Sequence, residues 1–284
     1  MAPQVLRTVA EVQAWAADLR RAGRRLALVP TMGFLHEGHL SLMREGRKRA
    51  DGVATSIFVN PTQFGPKEDL SRYPKDFEGD LAKCGSAGVD VVFAPEASTM
   101  YPPGYETYVE VTDVSQGLCG ERRPGHFRGV ATIVTRLLCM FRPDVALFGE
   151  KDYQQLQVIK ALNRDLHLGV EILGMPTVRE PDGLAMSSRN AYLSSEDRKR
   201  ALAISRGLGA AQALYRSGTS EASALTEAVR RELRAADLRE DYVELVDAER
   251  LKPVASVQPS QPARLLVAAF CGTTRLIDNQ PIGG

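Results

Sequence analysis

The chain has 284 residues, enough for two domains of ordinary size. Its 36 basic and 35 acidic residues leave a net charge of +1, so no overall field attracts nucleic acid or anionic membrane, and we expect neither as a partner. The longest apolar run, Leu265–Cys271, is far shorter than the roughly 18 residues that a membrane helix needs. The first segment carries Glu11 and Asp18 and lacks the apolar core of a leader, which predicts a cytoplasmic protein.

The first two-thirds of the chain alternate short apolar runs with amphipathic stretches. This pattern predicts a parallel sheet with helices on both faces, and ligands at the carboxyl ends of its strands. The predicted strands are Arg25–Val29, Val53–Val59, Val89–Phe93, Val145–Phe148 and Val170–Leu173. The predicted helices are Glu37–Ala50, one that ends in Leu81–Ala87, Ala131–Phe141 and Tyr153–Asp165.

The pattern changes after the Pro- and Gly-rich segment Pro176–Gly183, which predicts a domain boundary. A capping signal at Ser194–Asp197 precedes a predicted helix over Asp197–Tyr215. A second helix over Ser220–Ala236 and strands at Tyr242–Val246 and Leu265–Phe270 follow. The chain is therefore expected to form a doubly wound α/β domain over residues 1–178 and a smaller α+β domain over residues 179–284.

The four cysteines are scattered and include no CxxC pair; they are Cys84, Cys119, Cys139 and Cys271. This spacing predicts reduced, buried thiols rather than a zinc site or a disulfide framework.

Two histidines, His36 and His39, follow the first predicted strand within Pro30–His39. Three residues apart at a helix start, they share a face beside unpaired backbone N–H groups and the positive end of the helix dipole, which suits a phosphate. HxxH alone is more typical of a surface pair or of half a metal site, but further zinc ligands are lacking. Its place between strand and helix favours nucleotide phosphate.

Other polar motifs also follow predicted strands. Gln63, in Phe58–Phe64, can donate and accept hydrogen bonds, although a simple proline turn would look the same. Lys151 is placed to meet an anionic transition state, and Gln155 lies one turn beyond it, although a solvated charge cluster at a helix start would look the same. Met186–Asn190 offers two hydroxyls and Arg189 for phosphate oxygens, though a linker would look similar.

Three further charged features lie between these motifs. Arg123 and His126 belong to a cation-rich loop that would either reach an anionic substrate or be solvated. Asp76 and Asp80 flank a turn, where either could support a divalent ion bound mainly through phosphate. The combination of histidines, cations and glutamines at one sheet edge is what nucleotidyl transfer needs.

Five segments together resemble the pantoate–β-alanine ligase family of HxGH nucleotidyltransferases: PTMGFLHEGH, FVNPTQF, RPGHFRGV, FGEKDYQQ and MSSRN. The resemblance covers essentially the whole chain. It implies a Rossmann-like domain that binds ATP and pantoate, a C-terminal lid domain, and a homodimer. It also implies that pantoate is adenylated with release of pyrophosphate, and that β-alanine then displaces AMP to give pantothenate.

The resemblance also implies residue roles. His39 would donate a proton, and His36, Lys151 and Arg189 would neutralise phosphate charge. Gln63 and Gln155 would bind pantoate, and Asp80 would be the carboxylate partner of Mg²⁺. Arg123 and His126 would either lie behind the residues that touch substrate or belong to the substrate loop. The ATP site would comprise Met32, Gly33, Phe34, Leu35, His36, Glu37, Gly38, His39, Gly149, Glu150, Lys151, Asp152, Val178, Met186, Ser187, Ser188 and Arg189. Ser187–Arg189 replaces the lysine-bearing second signature of the wider superfamily, as it does in this narrower family.

Two alternatives remain at this point. A sister nucleotidyltransferase would adenylate another acid or a phosphate ester, but a phosphate ester would favour cations where Gln63 and Gln155 stand. A non-catalytic nucleotide-binding protein of the same fold would more often have lost a histidine or Lys151.

Overall fold

Continuous apolar segments form a six-stranded parallel sheet, in agreement with the sequence prediction. Residues 2–66 and 68–283 are described by a computed structural model. The strand order is β1-β4-β3-β2-β5-β6, so the winding reverses between β2 and β5. The strands are β1 (Gln4–Leu6), β2 (Leu26–Thr31), β3 (Gly52–Ile57), β4 (Val91–Phe93), β5 (Val145–Gly149) and β6 (Glu171–Met175).

Helices connect these strands and cover the sheet with apolar faces. A core cluster on one side includes Val29, Met43 and Leu147, all of them fully buried. The helices of this part are α1 (Val9–Arg21), α2 (Glu37–Arg49), α3 (Phe77–Ser86), α4 (Ala97–Met100), α5 (Leu118–Arg122), α6 (His126–Phe141) and α7 (Tyr153–Asp165). Because ligands of such sheets bind where the winding reverses, the carboxyl ends of β2 and β5 mark the expected binding edge.

The C-terminal part contains two helices and a three-stranded antiparallel sheet, as the predicted α+β class requires. A second core cluster, including Leu208, Val229 and Leu265, lies between these elements. The helices are α8 (Ser195–Arg216) and α9 (Ala222–Ala235), and the strands are β7 (Arg239–Asp247), β8 (Ala263–Cys271) and β9 (Thr274–Ile282). Ser194 caps α8 by accepting a hydrogen bond from the Asp197 N–H at 3.0 Å, as predicted.

Two compact units divide the chain. The first comprises residues 1–150 and 155–176, and the second comprises residues 151–154 and 177–284. This division differs from the sequence prediction of 1–178 and 179–284 mainly at Lys151–Gln154, which interrupts the first unit in sequence but belongs to the second. Within the described residues, no helix has the length and apolar character of a membrane span.

The sequence prediction needs correction at several elements and at one cysteine. Strands β1 and β9 and helices α1, α4 and α5 were not predicted. Cys139 on α6 is exposed rather than buried. The other cysteines are buried, as expected.

Candidate active site

The loop that follows β2 carries the paired histidines into α2. Gly33 adopts φ +84° and Phe34 adopts φ +49°, so the chain turns through two left-handed residues before the helix begins at Glu37. A side chain at position 33 would place its Cβ 3.0 Å from both Asp80 Oδ2 and Ile57 Cγ2, so glycine is required by space as well as by φ.

Asp80 fixes this loop from α3. Its Oδ2 accepts a hydrogen bond from the Phe34 N–H and its Oδ1 accepts one from the Leu35 N–H, both at 2.7 Å. The side chain is 1% exposed, and burial raises the pKa of this carboxyl although the two N–H bonds oppose the rise. Such paired bonds to a carboxylate hold a strained loop in one conformation.

The predicted role of Asp80 as a ligand of Mg²⁺ fits this geometry poorly. Both of its oxygens are used by the loop backbone, and the carboxylate is buried. Among the described residues, no group of three or more His, Cys, Asp or Glu side chains could hold a metal ion. The geometry favours Asp80 as the residue that anchors the loop after β2.

His36 and His39 lie together at the start of α2. His36 is the N-cap residue, and the two ring centroids are 4.1 Å apart. The backbone N–H of His36 points at Nδ1 of His39 at 3.3 Å. Because an N–H can only donate, Nδ1 of neutral His39 is the acceptor and Nε2 carries the proton. His39 is therefore suited to donate a hydrogen bond, or a proton, through Nε2.

Gln63 ends a short 3₁₀ helix, Pro61–Gln63, and is 8% exposed. Its Oε1 accepts a hydrogen bond from Asn60 Nδ2 at 3.1 Å, while its Nε2 lies 2.9 Å from the sulfur of Met32. The loop after β2 and the loop after β3 thus meet at the predicted edge of the sheet. Gln63 thus acts as both acceptor and donor, as the sequence predicted, with its amide nitrogen directed toward Met32.

Arg123 and His126 make hydrogen bonds to the loop that carries Gln63. The Arg123 guanidinium forms two 2.7 Å bonds to the carboxylate of Glu68. It also lies 2.9 Å from His126 Nε2, and His126 Nδ1 lies 2.8 Å from the carbonyl of Gln63. Burial acts to raise the pKa of the Glu68 carboxyl, but the Arg123 bonds and charge outweigh it, and the pKa is lowered. Arg123 and His126 thus contact Glu68 and the backbone of Gln63, and a role toward substrate stays a prediction.

The segment after β5 is shared between the two units. Gly149 and Glu150 belong to the first unit, as does Gln155, a half-buried residue in the first turn of α7. Lys151 and Asp152 belong to the second unit, where Lys151 Nζ lies 3.6 Å from Asp152 Oδ2.

The second unit holds the backbone of Lys151 through strand β9. Asn279, which is 4% exposed, donates a 2.9 Å bond from Nδ2 to the carbonyl of Lys151 and accepts a 2.7 Å bond from Arg264 Nε. The Arg264 guanidinium lies 4.0 Å from the ring centroid of Tyr153, whose hydroxyl donates to the carbonyl of Ala248 at 2.9 Å. Lys151 is therefore placed by residues about a hundred positions away, which no local pattern indicates.

The remaining predicted nucleotide residues lie on a hairpin and a short helix of the second unit. The Met186 N–H donates to the carbonyl of Val178 at 3.0 Å, so these two predicted residues are neighbours. Ser187 then caps the 3₁₀ helix Ser188–Tyr192 by accepting from the Arg189 N–H at 3.3 Å. Ser188 and Arg189 of this motif therefore lie in a short helix.

Comparisons of the sequence with known proteins agree over its whole length. The model of the family described as pantoate-beta-alanine ligase matches residues 4–281. A pantothenate synthetase of Myxococcus xanthus is 79% identical, with 100% of this chain and 98% of that protein covered. One from Anaeromyxobacter dehalogenans is 59% identical, with 98% of each chain covered.

Solved structures give the same result. A crystal structure of pantothenate synthetase from Thermus thermophilus matches with a TM-score of 0.93 and 45% identity, covering 99% of this chain and 100% of that one. A pantoate-beta-alanine ligase from Francisella tularensis, complexed with beta-gamma ATP and beta-alanine, matches with a TM-score of 0.82 and 32% identity, covering 98% and 97%. The five motifs, the fold and these relatives agree, and the chain belongs to the pantoate–β-alanine ligase family.

Proposed function

We propose that this enzyme condenses (R)-pantoate with β-alanine in two steps at the expense of ATP. A pantoate carboxylate oxygen attacks the α-phosphorus of ATP, the bond to the β-phosphate breaks, and pyrophosphate leaves. The amine of β-alanine then attacks the acyl carbon, loses a proton, and displaces AMP to give pantothenate. The first step supplies the leaving group that a carboxylate lacks at neutral pH.

The observation that carries this proposal is the paired-histidine start of α2. Its backbone N–H groups and the helix dipole attract phosphate. The Nε2–H of His39 adds a donor, since Nδ1 accepts from the His36 backbone. Donors fixed before the reaction stabilise developing charge more effectively than mobile ones. We assign to His36 and His39 the stabilisation of the negative charge that develops on the transferred phosphoryl group, and to His39 the role of proton donor.

Two glutamines are assigned to pantoate. Gln63 offers its amide nitrogen on the Met32 side, which suits a carboxylate or hydroxyl oxygen of the acid. Gln155, in the first turn of α7, is assigned to the same substrate. Neither residue carries a charge, which favours a hydroxy acid over a phosphate ester.

Lys151 and Arg189 are assigned to the phosphates, and Val178 and Met186 to the adenosine part of ATP. The neighbouring positions of Val178 and Met186 support a shared role. The Francisella tularensis relative was crystallised with beta-gamma ATP and beta-alanine, which supports the same two ligands here. We also propose that ATP is used with Mg²⁺ bound through its phosphate oxygens, that the enzyme is a homodimer, and that it acts in the cytoplasm.

Pyrophosphate release from Mg·ATP tests the proposal. With pantoate alone we expect a stoichiometric burst, and after β-alanine is added we expect steady turnover. A burst without later turnover would contradict β-alanine as the acceptor. If no pyrophosphate is released with pantoate, pantoate is not the acid that is adenylated. A screen of other small carboxylates would then test the alternative of a sister nucleotidyltransferase.

A further inference from the structure

Tyr101, the residue that follows α4, contacts the loop of the candidate pantoate site. Its hydroxyl donates to Asn60 Oδ1 at 2.7 Å and lies 3.1 Å from Thr62 Oγ1. Asn60 is 1% exposed, and its Nδ2 donates to Gln63 Oε1. The three side chains therefore form a chain of hydrogen bonds that ends at Gln63.

The backbone determines which way the Asn60 amide faces. Its Oδ1 lies 3.4 Å from the Thr62 N–H, which can only donate, and its Nδ2 lies 3.2 Å from the carbonyl of Gly129, which can only accept. The first distance is long for a hydrogen bond, and the second is at the upper end of the normal range. Two hydroxyls also donate to this oxygen, that of Tyr101 at 2.7 Å and that of Thr62 at 3.0 Å. The Tyr101 bond is the shorter of the two, so we expect it to contribute most to holding the orientation.

The orientation is transmitted to Gln63. Because Asn60 donates from its amide nitrogen, Gln63 must accept through Oε1. The Nε2 of Gln63 then points toward Met32. A reversed Asn60 would present oxygen to Gln63, which would then turn its nitrogen inward and its oxygen toward the ligand. An oxygen at that point would repel a carboxylate.

Tyr101 itself is firmly held. The Arg136 guanidinium lies over its ring at 5.5 Å and over Tyr105 at 4.9 Å, and the Tyr101 and Tyr105 rings meet edge to face at 5.1 Å. Burial raises the pKa of the Tyr101 hydroxyl, which keeps it a donor.

We propose that Tyr101 is a positioning residue that, through Asn60, makes Gln63 present an N–H donor to an oxygen atom of pantoate. This inference rests on the proposed function for the identity of the ligand. It adds a specificity element: the substrate must offer a hydrogen-bond acceptor at the point that Gln63 faces.

Tyr101→Phe removes the hydroxyl and keeps the ring, and Tyr105→Phe is the matched control in the same stack. In the pyrophosphate assay we expect Tyr101→Phe to raise the KM for pantoate roughly 10-fold and to leave the KM for ATP unchanged. Asn60→Asp keeps the acceptor for Tyr101 but loses the donor to Gln63. If the residues act in series, adding Tyr101→Phe to Asn60→Asp has little further effect.

The proposal is overturned if Tyr101→Phe keeps the wild-type KM for pantoate, or if it raises the KM for pantoate and for ATP equally. It is also overturned if the effects of Tyr101→Phe and Asn60→Asp on the KM for pantoate add in the double variant. The side-chain amide signals of Gln63 in ¹H–¹⁵N NMR give a reading without substrate. One sharp pair is expected in wild type and Tyr105→Phe, and a broadened or doubled pair in Tyr101→Phe. Unchanged signals would also overturn it. Failure of wild type to release pyrophosphate with pantoate would instead contradict the proposed function.

Discussion

The carboxylate of Asp80 acts on a loop 46 residues away in the chain, at Phe34. A left-handed φ at a phenylalanine costs free energy and persists only where neighbouring groups enforce it. The two hydrogen bonds that Asp80 accepts supply that constraint, so the loop that leads to His36 and His39 depends on a residue of α3.

Asp80→Asn tests this dependence. One amide nitrogen would face a backbone N–H, so we expect the free energy of unfolding to fall by about 1–3 kcal/mol. The KM for ATP should rise more than that for pantoate. Urea unfolding and steady-state kinetics measure the two effects, with exposed Glu78→Gln on the same helix as control. Wild-type stability and ATP affinity in Asp80→Asn would refute the anchoring role.

His39→Ala tests the proposed proton donor. Loss of one preorganised donor at developing charge costs on the order of 100- to 1,000-fold in turnover. Circular dichroism should stay unchanged, because α2 keeps its backbone bonds. The control is His167→Asn, an exposed site whose φ of +51° asparagine tolerates. Turnover near that of wild type would show that His39 is not the proton donor.

The site residues that the sequence predicts share one property: each lies in a short motif near the end of a strand or the start of a helix. Residues that act across the fold were missed, because Asn60, Tyr101 and Asn279 become meaningful only once distant segments are adjacent. Asp80 was identified, but as a metal ligand, since a carboxylate near a phosphate motif looks the same in sequence whether it faces a cation or backbone N–H groups.

The same division between local and distant signals applies to the secondary-structure elements. Helix α7 begins and ends where periodicity predicts, at Tyr153 and Asp165. Helix α1 was missed although Thr8 and Glu11 form a capping box, a local signal that was present in the sequence. Strand β9 carries Asp278, Asn279 and Pro281, residues rare in strands, and it forms because all nine of its residues pair with β8.

Two glycines of α8 provide a paired test of helix packing. A Cβ at Gly207 would lie 3.0 Å from Val229 Cα on α9, whereas a Cβ at Gly209 would meet nothing within 4 Å. We expect Gly207→Ala to destabilise the protein by about 1–3 kcal/mol through overpacking. Gly209→Ala should stabilise it by about 0.5–1 kcal/mol, as alanine does in a helix. Urea midpoints that shift in the same direction for both variants would contradict the close approach of α8 and α9.

The contact of β9 with Lys151 predicts a catalytic effect from a distant strand. Asn279→Ala removes both the bond to the Lys151 carbonyl and the partner of Arg264, while Asn279→Asp keeps the partner of Arg264. We expect both variants to lower turnover roughly 10- to 100-fold, since small displacements of a positioned group are costly. Gln280→Ala, whose side chain points to the other face of β9, is the control. Kinetics indistinguishable from this control would show that Lys151 is placed by other contacts.

For the whole molecule, burial divides the thiols into two classes. Cys139 is exposed, whereas Cys84, Cys119 and Cys271 are buried. Burial, and then the nearby charge of Asp80, raises the pKa of Cys84 to about 12; burial and the bond to Asp197 raise that of Cys271 to about 11. Because the thiolate is the reactive form, a disulfide reagent at pH 8 should modify one thiol rapidly in the native protein and all four after unfolding. Rapid reaction of Cys84 in the native protein would contradict this packing.

The assignment of Lys151–Gln154 to the second unit limits how the enzyme can be divided into fragments. The chain passes between its two units at residues 150/151, 154/155 and 176/177, so no single cut separates them. A fragment ending at Pro176 would keep the whole parallel sheet but deprive Lys151 of Asn279 and Tyr153 of Ala248. Any residue at position 248 offers a carbonyl to Tyr153, whereas only a side-chain donor at position 279 can bond the carbonyl of Lys151. Exchange of C-terminal segments between relatives would therefore have to keep the asparagine of β9 together with the segment after β5.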